Sequence, residues 1–174
     1  MSYQGLYEKG ISFEEFYKTA QDRYKKYCDG VISNLDILEK YTESVRRISE
    51  RIYVLAVAEN WCIDSIVNLP VVHWMESKNS NISFRIINTE EYKRERVCKS
   101  VLLTPTIILL DEAFRNMGKW VQYPEKIKKI MASGNQVKII VEKKKYRQGL
   151  YAEDTLKEIL EIIKSSVVGY NGSN

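Results

Sequence analysis

The passage that most constrains this chain runs from Ile52 to Ser65, where the apolar run IYVLAVA gives way at once to Glu59, Asn60, Trp61, Cys62, Ile63, Asp64 and Ser65. So short a run, rich in β-branched residues, marks a strand covered on both faces, as in the middle of a parallel sheet. Beyond it Ile66, Leu69, Val72 and Met75 recur at helical spacing, and a polar turn then leads to a second apolar stretch over 82–87. This pattern predicts a β-α-β unit with Cys62 where strand hands over to helix. A cysteine in that place faces unpaired backbone N–H groups and the positive end of the helix dipole, both of which stabilise a thiolate. Cys62 is therefore a candidate nucleophile.

The flanking sequence is predominantly helical in pattern. Ser12 and Glu15 form a capping box and Ile11 with Phe16 a hydrophobic staple, so a helix is expected to start at Phe13 and to stop at Gly30. Its apolar face holds Phe13, Phe16, Tyr17, Ala20, Tyr24, Tyr27 and Cys28, and a second helix should bury Leu35, Leu38, Tyr41, Val45 and Ile48. Thr89 can cap a short charged helix to about Ser100, after which Thr106–Asp111 and Gly118–Gln122 read as strands of an antiparallel hairpin. Pro124–Ala132 reads as helix, Val137–Glu142 as a further strand or an extended arm, and Ala152–Val167 as an amphipathic helix burying Leu156, Ile159, Leu160 and Ile163. A frayed tail is expected over Gly169–Asn174.

The 174 residues fit one domain able to bury its own core. No apolar run approaches the roughly 20 residues of a membrane span, and Val101–Leu110 is interrupted by Thr104, Pro105 and Thr106. Residues 1–18 lack a basic start followed by an apolar stretch, so no membrane partner and a cytoplasmic location are expected. A net charge of +4 is too small to imply nucleic acid unless the basic residues gather on one face. Cys28, Cys62 and Cys98 are odd in number and widely spaced, suggesting neither a disulfide framework nor a metal site.

From Trp61 and Cys62 onward the chain resembles the thioredoxin superfamily, especially members in which a Trp-Cys-X-Asp segment replaces Trp-Cys-Gly-Pro-Cys. Pro70 stands eight residues after Cys62, where many thioredoxins kink the same helix. Thr104-Pro105-Thr106 resembles their cis-proline loop, and Asp111–Trp120 is similar to the end of their hairpin. The resemblance covers roughly residues 50–125, and the order and spacing of the four matches are more specific than any one of them. It implies an α/β, thioredoxin-like fold: a central mixed sheet flanked by helices, with residues 1–50 as an N-terminal helical extension, 51–123 as the best-matching core and 124–174 as C-terminal helices. It further implies a cis bond before Pro105, which would sit beside Cys62, with the Thr104 backbone free to pair with an extended substrate. Read from the residues alone, the alternative is a trans Pro105 that merely starts a strand.

The departures shape the functional reading. Ser65 takes the place of a second, resolving cysteine, so a mixed disulfide on Cys62 would need a thiol from glutathione, another small thiol or a partner protein. Ala56 stands where many thioredoxins hold a buried aspartate. Asp64 can cap the helix, yet its charge beside Cys62 opposes the thiolate. His73, eleven residues past Cys62 on the same helix, lies roughly 16 Å along the axis at about 1.5 Å per residue, too far for direct proton exchange. Cys28 reads as core or as a second redox thiol, Cys98 as structural or as a distant resolving thiol, and Trp61 as packing or partner surface. The run Lys143, Lys144, Lys145, Tyr146, Arg147 guards an exposed strand edge or contacts an acidic partner.

The leading expectation is a thiol-disulfide oxidoreductase acting through Cys62 alone, supported by Trp61, Asp64, Ser65, Thr104 and Pro105, on a protein disulfide or small-molecule thiol. The competing one is a non-catalytic protein-binding module. A cluster-holding monothiol glutaredoxin is disfavoured because Cys62-Ile63-Asp64-Ser65 departs from Cys-Gly-Phe-Ser. No cofactor is implied.

Overall fold

A computed structural model describes residues 2–96 and 102–171. Its centre is a four-stranded mixed sheet in the order β2-β1-β3-β4, built from β1 (Ile52–Val57), β2 (Ile82–Ile87), β3 (Thr106–Leu110) and β4 (Asn116–Val121). β1 runs parallel to β2, from Ile52 beside Ile82 to Val57 beside Ile87, and antiparallel to β3, with Val57 beside Thr106. β3 and β4 form the expected antiparallel hairpin. The crossover between β1 and β2 is α5 (Ile63–Lys78), with Pro70 inside it. Among the described residues no helix is long and apolar enough to cross a membrane.

The unbroken hydrophobicity of β1 and β3 follows from burial on both faces. Val54, Ala56, Ile107 and Leu109 point to one face, packed with Ile66, Leu69 and Met75 of α5 and with Leu156, Ile159 and Leu160 of α9 (Ala152–Asn171). Leu55, Val57, Ile108 and Leu110 point to the other, covered by Leu6 and Tyr7 of α1 (Tyr3–Lys9) and by Tyr92 of α6 (Thr89–Arg96). Residues 3–9 carry no pattern strong enough to predict a helix, yet Leu6 is fully buried. Burial of such a side chain contributes about 1.5–3 kcal/mol, which fixes a seven-residue helix that would not persist alone.

Several sequence expectations are corrected. The capping box of Ser12 and Glu15 is present, but the helix from Phe13 is two helices, α2 (Phe13–Thr19) and α3 (Asp22–Ile32). Ala20 and Gln21 are extended and the Thr19 hydroxyl donates back to the Glu15 and Phe16 carbonyls; α3 then runs past Gly30 to Ile32. The second helix is a 3-10 segment, Leu35–Tyr41, followed by the short α4 (Thr42–Arg46). The largest departure lies downstream of α7 (Glu125–Ala132). Val137–Glu142 is neither strand nor extended arm but part of α8 (Gln136–Arg147). The Asn135 side chain accepts from the Lys138 N–H, Glu142 pairs with Lys145, and buried Tyr146 anchors the last turn, so capping and packing override the β-branched run. Lys143–Lys145 therefore guard no strand edge. At α6 the Asn88 side chain accepts from the Glu91 N–H and supplies the capping oxygen expected from Thr89.

Candidate functional site

β1 ends at Val57, and the chain turns through residues 58–61 to place Cys62 at the N-cap of α5 in extended conformation. Its N–H donates to the Glu59 carbonyl at 3.1 Å and its carbonyl accepts from the Ile66 N–H at 3.0 Å, so the thiol is held at the first turn of the helix. The turn itself is tied down: the Glu59 carboxylate accepts from the Thr89 N–H at 2.9 Å and from the Thr89 hydroxyl. The Asn60 amide donates to the Thr19 hydroxyl at 3.2 Å.

The loop before β3 approaches from the opposite side. The Thr104–Pro105 peptide is cis, and Thr104 meets the sulfur with two groups. Its hydroxyl donates to Cys62 Sγ at 3.3 Å and its carbonyl accepts from Sγ at 3.6 Å. One contact supplies a donor and the other an acceptor, so Thr104 can hydrogen-bond to this sulfur as thiol or as thiolate. Cys62 is partly exposed and Trp61 next to it is 60% exposed, which excludes a core-packing role for that indole.

Asp64 and Ser65 occupy different surroundings. Ser65 is fully buried, and its Oγ has no hydrogen-bond partner among the described residues. Burial pushes the Asp64 carboxyl above its ordinary value, against hydrogen bonds from the Tyr123 hydroxyl and from Gln122, whose Nε2 lies 3.3 Å from Oδ2. Burial together with the Asp64 charge raises Tyr123 as well. Asp64 is thus part of a network continuing through Asn68, whose Nδ2 lies 2.6 Å from the Tyr146 hydroxyl, 2.8 Å from the Asp64 carbonyl and 3.2 Å from the Gln122 carbonyl. The Thr155 hydroxyl donates to Asn68 Oδ1 at 2.9 Å, and the Gln122 N–H donates to the Pro105 carbonyl at 2.8 Å. The cis-proline loop, α5, α8 and α9 are therefore cross-linked behind the thiol.

The remaining sequence candidates stand apart. Cys28 is buried in α3, where burial and then the Asp29 charge push its thiol up to about 12. His73 stacks on Phe13 at 4.5 Å and lies 3.6 and 3.5 Å from the Glu14 and Glu76 carboxylates, a structural setting away from Cys62. Ala56 is fully buried. Cys98 lies outside the described residues. The network of Asn68, Gln122, Tyr123, Tyr146 and Thr155 was not foreseen; the lone amide of Asn68 in the apolar run IVNLPVV was its one sequence signal.

A family model described as thioredoxin matches residues 10–142. Two solved structures share the fold. One is a protein of unknown function from Pseudomonas aeruginosa, 24% identical with a TM-score of 0.81. The other is an HIV epitope-scaffold, also 24% identical, with a TM-score of 0.80. Each match covers 95% of this chain and 99% of the other. No curated protein matches the chain.

Proposed function

The chain belongs to the thioredoxin family, and from that premise we propose that it is a thiol-disulfide oxidoreductase working through Cys62 alone, with an external thiol completing turnover. The observation that carries this reading is the pair of Thr104 groups on a partly exposed Cys62 sulfur at a helix N-cap, beside Pro105. Exposed Trp61 offers a partner surface next to the thiol.

In the proposed reaction the Cys62 thiolate attacks the small-thiol sulfur of a mixed disulfide between a protein and a small thiol. The new bond joins Cys62 to that sulfur, the old S–S bond breaks, and the protein leaves as a thiolate that takes a proton from solvent. A second small-thiol anion then attacks the same sulfur, which regenerates the Cys62 thiolate and releases the small thiol as its disulfide. The Thr104 hydroxyl stabilises Cys62 as attacking and leaving anion. A reducing compartment such as the cytoplasm, where free thiols persist, would supply the reductant.

Ser65→Cys tests the division of labour. With equimolar disulfide substrate and no added thiol, the natural chain should stop at a stable adduct on Cys62. The variant should release it and lose two hydrogens as Cys62 closes an internal disulfide with the introduced thiol, both read by intact mass. Absence of any adduct on the natural chain would refute the exchange reading and leave the binding module.

A further inference from the structure

Charge is distributed unevenly in this molecule. Residues 125–147 hold eight Lys or Arg against two Glu, a net +6 in a chain whose total is +4, so everything else together carries −2. Part of that charge faces an open groove of about 930 Å³ between α3 and α8, lined by Lys26, Lys143, Lys144 and Arg147. No acidic residue lines it, and none of the four cations is in an ion pair among the described residues. Its other walls include Tyr27, Ile140 and Leu150, exposed by 44, 69 and 48%. An unpaired basic cluster beside exposed apolar side chains leaves both charge and apolar area unsatisfied in the isolated chain.

The groove is connected to the thiol. Tyr146, between the lining residues Lys144 and Arg147, reaches inward to Asn68 on the helix that Cys62 caps. Lys143 and Arg147 act electrostatically on Asp64, two residues past Cys62.

We propose that the α3–α8 groove is a docking site for an acidic, partly apolar peptide segment of the protein whose disulfide Cys62 exchanges. This rests on the exchange reading for its purpose, although not for its test. The shape favours a peptide over the alternatives. The cations sit in a concavity between two helices, which a flat bilayer cannot enter, and Tyr27 is the one aromatic lining it, so there is no row of rings for nucleic-acid bases to stack on. Apolar walls suit side chains such as Leu between Asp and Glu residues, and give more contact than a small free anion would use.

The test is fluorescence anisotropy with a fluorescein-labelled, cysteine-free peptide of Glu, Asp and Leu, against a counterpart with Lys for each acid. The acidic peptide should bind the natural chain and the Lys counterpart should not. Binding should weaken roughly tenfold in the triple variant Lys143→Gln, Lys144→Gln, Arg147→Gln, and by a similar factor when salt is raised beyond about 0.15 M. Binding should be unchanged in Cys62→Ser, so this experiment and the exchange assay fail separately. The proposal is overturned if the acidic peptide does not bind, if the triple variant binds it equally, or if phosphatidylserine vesicles or a single-stranded oligonucleotide bind more tightly than the peptide.

Discussion

Cys28 and Cys62 are the two free cysteines among the described residues, and they are opposites. Cys28 lies within α3, with its sulfur against the core and its ionisation suppressed by burial. Cys62 lies at the end of a strand and the start of a helix, partly open to solvent, with a hydroxyl and a carbonyl of Thr104 on its sulfur. The same thiol group is thus packing material in one place and a candidate reagent in the other. Surroundings make the difference: core side chains and burial enclose the Cys28 sulfur, whereas the Cys62 sulfur, which takes no hydrogen bond from the N–H groups of α5, is partly open and is met by Thr104.

That contrast can be broken most directly by exchanging each sulfur for oxygen. Cys62→Ser should lower disulfide exchange by roughly 100-fold or more, since a hydroxyl is no substitute for a thiolate, whereas Cys28→Ser should leave exchange within about twofold when assayed on folded protein. Stability sharpens the same contrast. Removing the polar centre behind Cys62 by Asn68→Ala takes the acceptor from the buried Thr155 hydroxyl and leaves the Tyr146 hydroxyl with only its 3.4 Å bond to the Gln122 carbonyl, and should cost about 2–4 kcal/mol in urea unfolding. Cys28→Ser places a hydroxyl in an apolar site and should cost about 1–3 kcal/mol in the same measurement.

The smallest expected effect concerns pH. Because burial raises the Asp64 carboxyl in the folded chain, the folded state holds its proton more firmly than the unfolded state. Its contribution to stability is therefore full below the unfolded carboxylate value, about 3.9, and is lost as pH rises through the folded one. Asp64→Asn keeps an acceptor for Tyr123 and Gln122 but no charge. It should raise the melting temperature modestly near pH 7, with the gain vanishing below the carboxylate range. A gain that is equal at low and neutral pH would contradict this origin.

The fold was legible where one signal dominated. The all-apolar run 52–57, the helical spacing over 63–78 and the second apolar run 82–87 are the β-α-β unit of the structure, and the capping box at Ser12 is formed. It was illegible where tertiary contacts outweighed local preference. Val137–Val141 has the composition of a strand, yet Val137 and Ile140 are 74 and 69% exposed on a helix that Tyr146 and Asn135 secure. At the site, Cys62 and Trp61 could be named in advance from the junction of an apolar strand and a helix, whereas Thr104 and Pro105 could be placed beside the thiol only by the resemblance to thioredoxins. Gln122 and Tyr123 could not: nothing in the sequence marks Gln122 for a positive φ of 60°, nor places it between Pro105 and Asn68.

The most direct test of the Cys62 reading is the site of reaction with oxidised glutathione. In a Cys98→Ser background, folded protein should acquire a single glutathione adduct, and peptide mass spectrometry should place it on Cys62, with Cys28 unmodified until the chain is unfolded. No adduct on Cys62, or modification of Cys28 at a comparable rate in the folded protein, would contradict the account.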